Sequence, residues 1–145
     1  MYDSHTIIRF EIVTPEKVAL KDDVLQIIAP TQDGEITILP KHTPLVANLK
    51  PGVVELKNKD NQIKIISVSG GFIEVLRNKV VLLADTAERA EEIDIKRAEE
   101  ARERAEKSLK ELRHFDTERF VNLNAQMEKE LARTRSVKKW RKLLT

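Results

Sequence analysis

Residues 91–101 read EEIDIKRAEEA, and within them an aspartate and an arginine stand three apart, as Asp94 and Arg97. At the start of a helix that spacing brings a carboxylate, a guanidinium and the free N–H groups of a first turn together, a setting able to hold an anion or the edge of a base. The same residues also suit plain structure. Asp94 is a good N-cap, and Glu91 and Glu92 favour the positive end of a helix dipole. The sequence leaves both readings open. Few other stretches offer chemistry. Residues 69–72, SGGF, pair two glycines, but a strand-like IEVL follows and no lysine does, so they read as a tight bend where chains approach closely and not as a phosphate loop. His5, His42 and His114 are isolated from one another, which argues against a metal site, and His42 lacks an oriented nucleophile to serve. With 0 cysteines, disulfides, thiolate metal sites and cysteine nucleophiles are excluded. No nucleophile–base pair, metal cluster or phosphate loop emerges, so an enzyme is the least favoured class.

The C-terminal end is a second candidate. From Leu131 onward Arg133, Arg135, Lys138, Lys139, Arg141 and Lys142 accumulate with no acid among them. They read either as a solvated helix end that suits the dipole, or as a contact for an acidic partner surface anchored by Trp140, Leu143 and Leu144. Over the whole chain, 26 bases against 24 acids leave a net charge of +2, and no aromatic and basic platform points to nucleic acid. No apolar run approaches the roughly 20 residues of a membrane helix, and the N-terminus has no basic segment ahead of an apolar one, so no signal peptide is expected.

These residues must be positioned by two halves of unlike physics. All 4 glycines and all 5 prolines precede Phe72. The first half therefore turns often, and the last half hardly needs to. The first half carries short segments rich in Val and Ile, among them IRFEIV, DVLQIIA, GEITILP, GVVELK, QIKIISV, GFIEVL and KVVLLA, with hairpin turns expected at residues 58–61 and 77–78. That pattern predicts a small antiparallel sandwich or flattened barrel. In the second half Ala98, Ala101, Ala105, Leu109 and Leu112 step by three and four, a helical stripe. Glu100–Arg104, Glu103–Lys107 and Glu106–Lys110 flank it, each pair worth roughly 0.2–0.5 kcal/mol. The pattern breaks over residues 113–117, where Asp116 can cap a second stripe of Phe120, Leu123, Met127 and Leu131. The expected fold class is α+β with segregated halves: an antiparallel β-sandwich over residues 1–86, then an antiparallel two-helix hairpin over 87–145. The first stripe is mostly alanine, which buries little area at about 25 cal/mol per Å². Such a hairpin should dock on the sandwich, on a partner, or on each in turn.

The series DGEITILPKHTPLV, SGGFIEV and ADTAERAEEIDIKRAEEARERA, in that order and followed by a helical end, closely resembles the epsilon subunit of F-type ATP synthase. The resemblance spans nearly the whole chain. It implies an N-terminal β-sandwich of about ten strands, a C-terminal helical hairpin, and a non-catalytic rotor subunit. The sandwich would touch the gamma subunit and the ring of c subunits and help couple proton or sodium flow to ATP synthesis. The hairpin would fold on the sandwich or extend to the alpha and beta subunits and block ATP hydrolysis. By position, Glu35 matches the family's ring-facing loop and His42 its stalk-facing side. The six tail bases fall where the second helix meets an acidic stretch of the beta subunit.

Some bacterial members bind ATP through an I/L-D-x-x-R-A motif, matched here by Ile93, Asp94, Arg97 and Ala98, with Glu88 at the upstream position. Those members add arginines from the second helix. The matching places here lie near Asn124 and Leu131, which are not basic, with Arg133 and Arg135 close by. No cofactor is required, and Mg-ATP would be a regulatory ligand. A concentration about 100 times its dissociation constant would favour the compact state by about 2.7 kcal/mol. The implied location is the cytoplasmic face of a bacterial plasma membrane, reached only through the complex and without nucleic acid. A stand-alone ATP-sensing module is the alternative. A third reading is an adaptor that meets acidic partners through the basic tail.

Overall fold

In a computed structural model, residues 6–112 and 116–145 are described. Strand β1 (Ile8–Val13) buries Ile8, Phe10 and Ile12 and turns Arg9 and Glu11 to the other face, the period of two that a half-buried strand requires. Strand β2 (Val18–Thr31) runs 14 residues and organises the rest. One edge pairs with β1 and then with β3 (Gly34–Ile38). The other pairs with β5 (Gly52–Asn58) and, at Thr31, with β4 (Leu45–Leu49). With β6 (Ile63–Val68), β7 (Gly71–Val75), β8 (Lys79–Ala84) and β9 (Ala87–Arg89), the order is β1-β8-β7-β4-β2-β5-β6-β9. Because β1 also pairs with β2, five of these strands close a circuit, and the sandwich is a flattened barrel.

The β1–β8 pairing is parallel, against the all-antiparallel expectation; the other pairings among the described residues are antiparallel. Phe10, Ile12, Ile27, Leu56, Ile73 and Leu82 fill one core between the layers. The β5–β6 turn is built as its sequence suggests. The Asn58 side-chain oxygen accepts from the Asp60 and Gln62 amides at 2.9 Å, and Asn61 takes φ 60°. Gly71, at φ 125°, sits where any Cβ would run into the carbonyl oxygen of Leu83.

The sheet extends past the expected boundary at 86. Residues 87–89 pair with Ile66, Ser67 and Val68, which covers the free edge of β6, so these residues belong to the sandwich and not to the hairpin segment. A 3-10 turn at Ala90–Glu92 leads into α1 (Ile95–Glu111), and α2 (Thr117–Leu143) follows. Asp116 caps α2 through the Arg119 amide at 3.2 Å. Arg113, His114 and Phe115, part of the expected connection, lie outside the described residues.

Helix α2 packs on β5 and β6, and α1 lies on α2. On β6 the residues Ile66 and Val68 enter the core, so Ile65 and Ser67 are buried on the opposite, helix-bearing face. Glu130 apart, the residues that α2 buries against the sheet and α1 are small: Ala132, Thr134, Ser136 and Val137. Of the expected pairs on α1, only Glu106–Lys110 is within ion-pair distance, at 3.6 Å, while Glu106 also receives Arg102 at 3.3 Å. Exposed side chains gain too little from such contacts to hold every one.

Candidate functional site

The five residues of the nucleotide motif take separate tasks in this structure. Asp94 caps α1, its carboxylate accepting from the Arg97 amide at 3.2 Å. Ile93 and Ala98 are buried with Val137 of α2 in a small cluster that joins the two helices. Arg97 is 83% exposed, and its guanidinium reaches Asp94 only at 3.9 Å. Among the described residues it is the most exposed charged side chain of the motif.

Glu88 is engaged elsewhere. It stands on β9 and accepts two bonds from Arg133 of α2, 2.7 Å from Nε and 3.3 Å from Nη2. The remaining nitrogen, Nη1, donates to Glu130 at 2.9 Å. One guanidinium thus spans two carboxylates, a fork geometry only arginine supplies. Burial lowers the Arg133 pKa, but the bonds to Glu130 and Glu88 outweigh that, and its pKa is raised. The arginine of the second helix that approaches the motif's upstream glutamate is therefore Arg133. Leu131 is half-buried, and Asn124 and Arg135 are exposed.

A second tail base is tied down in the same way. Lys139 meets Glu55 of β5 at 2.7 Å. The two pairs sit at the α2–sheet contact and hold the hairpin to the sandwich. Lys138, Arg141 and Lys142 remain exposed, as do Leu143 and Leu144. The hydroxyls buried in the contact are satisfied within α2 itself, Thr134 donating to the Glu130 carbonyl at 2.9 Å and Ser136 to that of Ala132 at 2.8 Å. Lifting α2 off would leave no hydroxyl there without its bond.

The partner-facing candidates lie elsewhere. Glu35 is exposed on β3, opposite Pro30. His42 is half-buried in the loop before β4, where its Nδ1 donates to the Thr43 carbonyl at 2.7 Å.

One feature was not anticipated from the sequence. Val46 on β4, Phe72 on β7 and Leu83 on β8 are 71%, 51% and 46% exposed. Phe72 stands directly across from Leu83, and Val46 across from Glu74 two residues along, so all three share the outer face of this layer. That layer lies across the core from the one that carries α2. A signal was present in VVLL, residues 80–83, since an unbroken apolar run puts apolar residues on both faces of a strand.

Comparison with known proteins bears on the family and the fold. Residues 7–90 match the family described as ATP synthase, Delta/Epsilon chain, beta-sandwich domain. The ATP synthase epsilon chain of Desulforamulus reducens is 48% identical over 101 residues, 70% of this chain and 76% of that one. That of Moorella thermoacetica is 45% identical over 104 residues, covering 72% and 78%. A chain in the structure of the Euglena gracilis mitochondrial ATP synthase, OSCP/F1/c-ring, superposes with a TM-score of 0.76 at 23% identity over 88% of this chain and 79% of that one, a likeness of fold. The chain belongs to the ATP synthase epsilon-chain family, whose members are regulatory or stalk subunits of the synthase and not its catalytic ones.

Proposed function

We propose that this chain is a rotor subunit that couples ion flow through the membrane ring to ATP synthesis and restrains ATP hydrolysis with its terminal helices. The observation that carries this reading is the build of the hairpin's seat. It consists of alanine, serine and threonine with their polar atoms already satisfied, and two partly exposed ion pairs, Arg133–Glu88 and Lys139–Glu55. Such a contact holds the helices in place and releases them at modest cost. Extended, the hairpin would present Arg133, Arg135, Lys138, Lys139, Arg141 and Lys142 to the alpha and beta subunits. The gamma subunit would cover the open apolar face of β4, β7 and β8, with His42 beside it, and Glu35 would face the ring.

The site of action in this reading is the cytoplasmic face of a bacterial plasma membrane, reached through the complex. No helix among the described residues is long and apolar enough to cross a membrane. Reconstituting the synthase with the full chain and with a form ending before Thr86 tests the regulatory half. The expected result is higher ATP hydrolysis without the helices, and unchanged hydrolysis would refute inhibition.

The exposed guanidinium of Arg97, held only by a 3.9 Å pairing with Asp94, favours a second role, Mg-ATP as a regulatory ligand near Glu88, Ile93, Asp94 and Ala98. In the docked arrangement Glu88 is already held by Arg133, so the nucleotide would have to share or displace that contact. Calorimetric titration with Mg-ATP should give saturable heat that Arg97→Ala abolishes; no heat from the unaltered chain would rule this role out.

A further inference from the structure

At one end of the open apolar face, the loop before β4 and the β7–β8 turn form a cavity of about 460 Å³. Lys41, His42 and Arg77 line it together with Thr43, Pro44 and Asn78, and no carboxylate does. A smaller adjoining recess shares Lys41, His42 and Arg77 and likewise has no acidic lining residue. Among the described residues neither the Lys41 nor the Arg77 side chain has a hydrogen-bond or ion-pair partner, whereas Lys79, which lines the smaller recess, is paired with Glu11 at 3.4 Å. Lys41 is also held at φ 66°, a conformation a non-glycine residue adopts at a cost, which fixes where its side chain leaves the loop.

The cavity lies at the end of β4 and β7 where Leu45 and Val75 pair, and exposed Val46 follows one residue on, on the outer face. Exposed Leu76 lies between β7 and Arg77.

We propose that Lys41 and Arg77 form an oxyanion pocket that receives a carboxylate side chain of the protein partner seated on the Val46–Phe72–Leu83 face. The inference rests on the reading that this face is covered by the gamma subunit and adds the chemistry of its recognition. Charge complementarity selects the occupant. Two unpaired cations at the end of an apolar strip match a segment whose apolar residues lead to an acidic one, and the arginine fork suits a carboxylate. An anionic membrane is the poorer match, because lipid-binding patches gather about 4–8 basic residues.

The test measures the affinity of the full chain for the gamma subunit of the same synthase at low and moderate salt. The variants are Lys41→Gln/Arg77→Gln and, separately, Phe72→Ser. All three positions are exposed, so both proteins should fold, which circular dichroism verifies. The double variant should bind at least tenfold more weakly at low salt with a flatter salt dependence. Phe72→Ser should weaken binding equally at both salts. Equal affinity of the double variant and the unaltered chain would overturn the pocket while leaving the gamma contact intact. Failure of the unaltered chain to bind gamma would overturn the stalk reading and the pocket with it. If the unaltered chain sediments with phosphatidylserine vesicles at physiological salt and the double variant does not, the occupant is a lipid and the proposal fails.

Discussion

Arg133 does more for the arrangement of this molecule than any residue of the nucleotide motif. It lies on α2, yet its fork closes on Glu88 of the sheet and on Glu130 of its own helix, which is itself buried. Arg133→Ala would remove bonds to charged groups and leave Glu130 buried without its cation, so the docked hairpin should lose about 2 kcal/mol. That shifts the docking equilibrium by about 30-fold. Hydrogen exchange should report faster opening of α2 with unchanged protection in β1 and β8. Because the Arg133 pKa is raised, its contribution persists below the unfolded value and disappears only as pH rises through the folded one. Both lie well above neutral pH, so α2 protection attributable to Arg133 should stay flat between about pH 7 and 9. The sequence placed Glu88 and Arg133 on separate lists, one as a nucleotide contact and one as a partner contact. Forty-five positions separate them, and only the path of the chain shows that they meet.

At the scale of elements, the sequence was most legible where a local rule sufficed. Alternation in β1, the Asn58 turn and the Asp94 and Asp116 caps all follow from residues within a few positions of one another. It was least legible where two distant segments share one environment. The parallel β1–β8 pairing, the extension of the sheet through β9 and the face on which α2 lies depend on tertiary packing that overrides local pattern. Two substitutions separate the elements. Gly71→Ala drives a methyl into the Leu83 carbonyl at a positive φ and should destabilise the sandwich by roughly 3 kcal/mol or more, read as a lower midpoint in urea for the whole chain. Ser136→Leu overfills a fully buried position between α2 and the sheet but touches nothing in the sandwich core. It should cost the docked hairpin about 1–3 kcal/mol and expose the helices to limited proteolysis while the strands stay intact. A single cooperative loss of both halves in Ser136→Leu would show that hairpin and sandwich unfold as one unit.

The whole molecule has two outer faces built on opposite principles. One is closed by helices that grip through small side chains and ions; the other is apolar and open, with unpaired cations at its end. A face of the first kind is easily vacated and a face of the second kind gains by being covered. The difference makes salt a selective probe. Arg133–Glu88 and Lys139–Glu55 retain 19–44% side-chain exposure, so mobile ions reach them. Raising sodium chloride from about 0.1 M to 1 M shortens the screening length from about 10 Å to 3 Å. The core strands owe nothing to those pairs and chloride leaves apolar burial nearly unchanged. Amides of α2 should therefore exchange several-fold faster in high salt while those of β1, β7 and β8 keep their rates. Arg133→Ala should already exchange fast at low salt and respond much less to the increase, because one of the two screened pairs is gone. Equal salt sensitivity in that variant and the unaltered chain would place the grip in the uncharged part of the contact of α2 with β5 and β6, and the hairpin would then be released by whatever competes for that surface and not by charge.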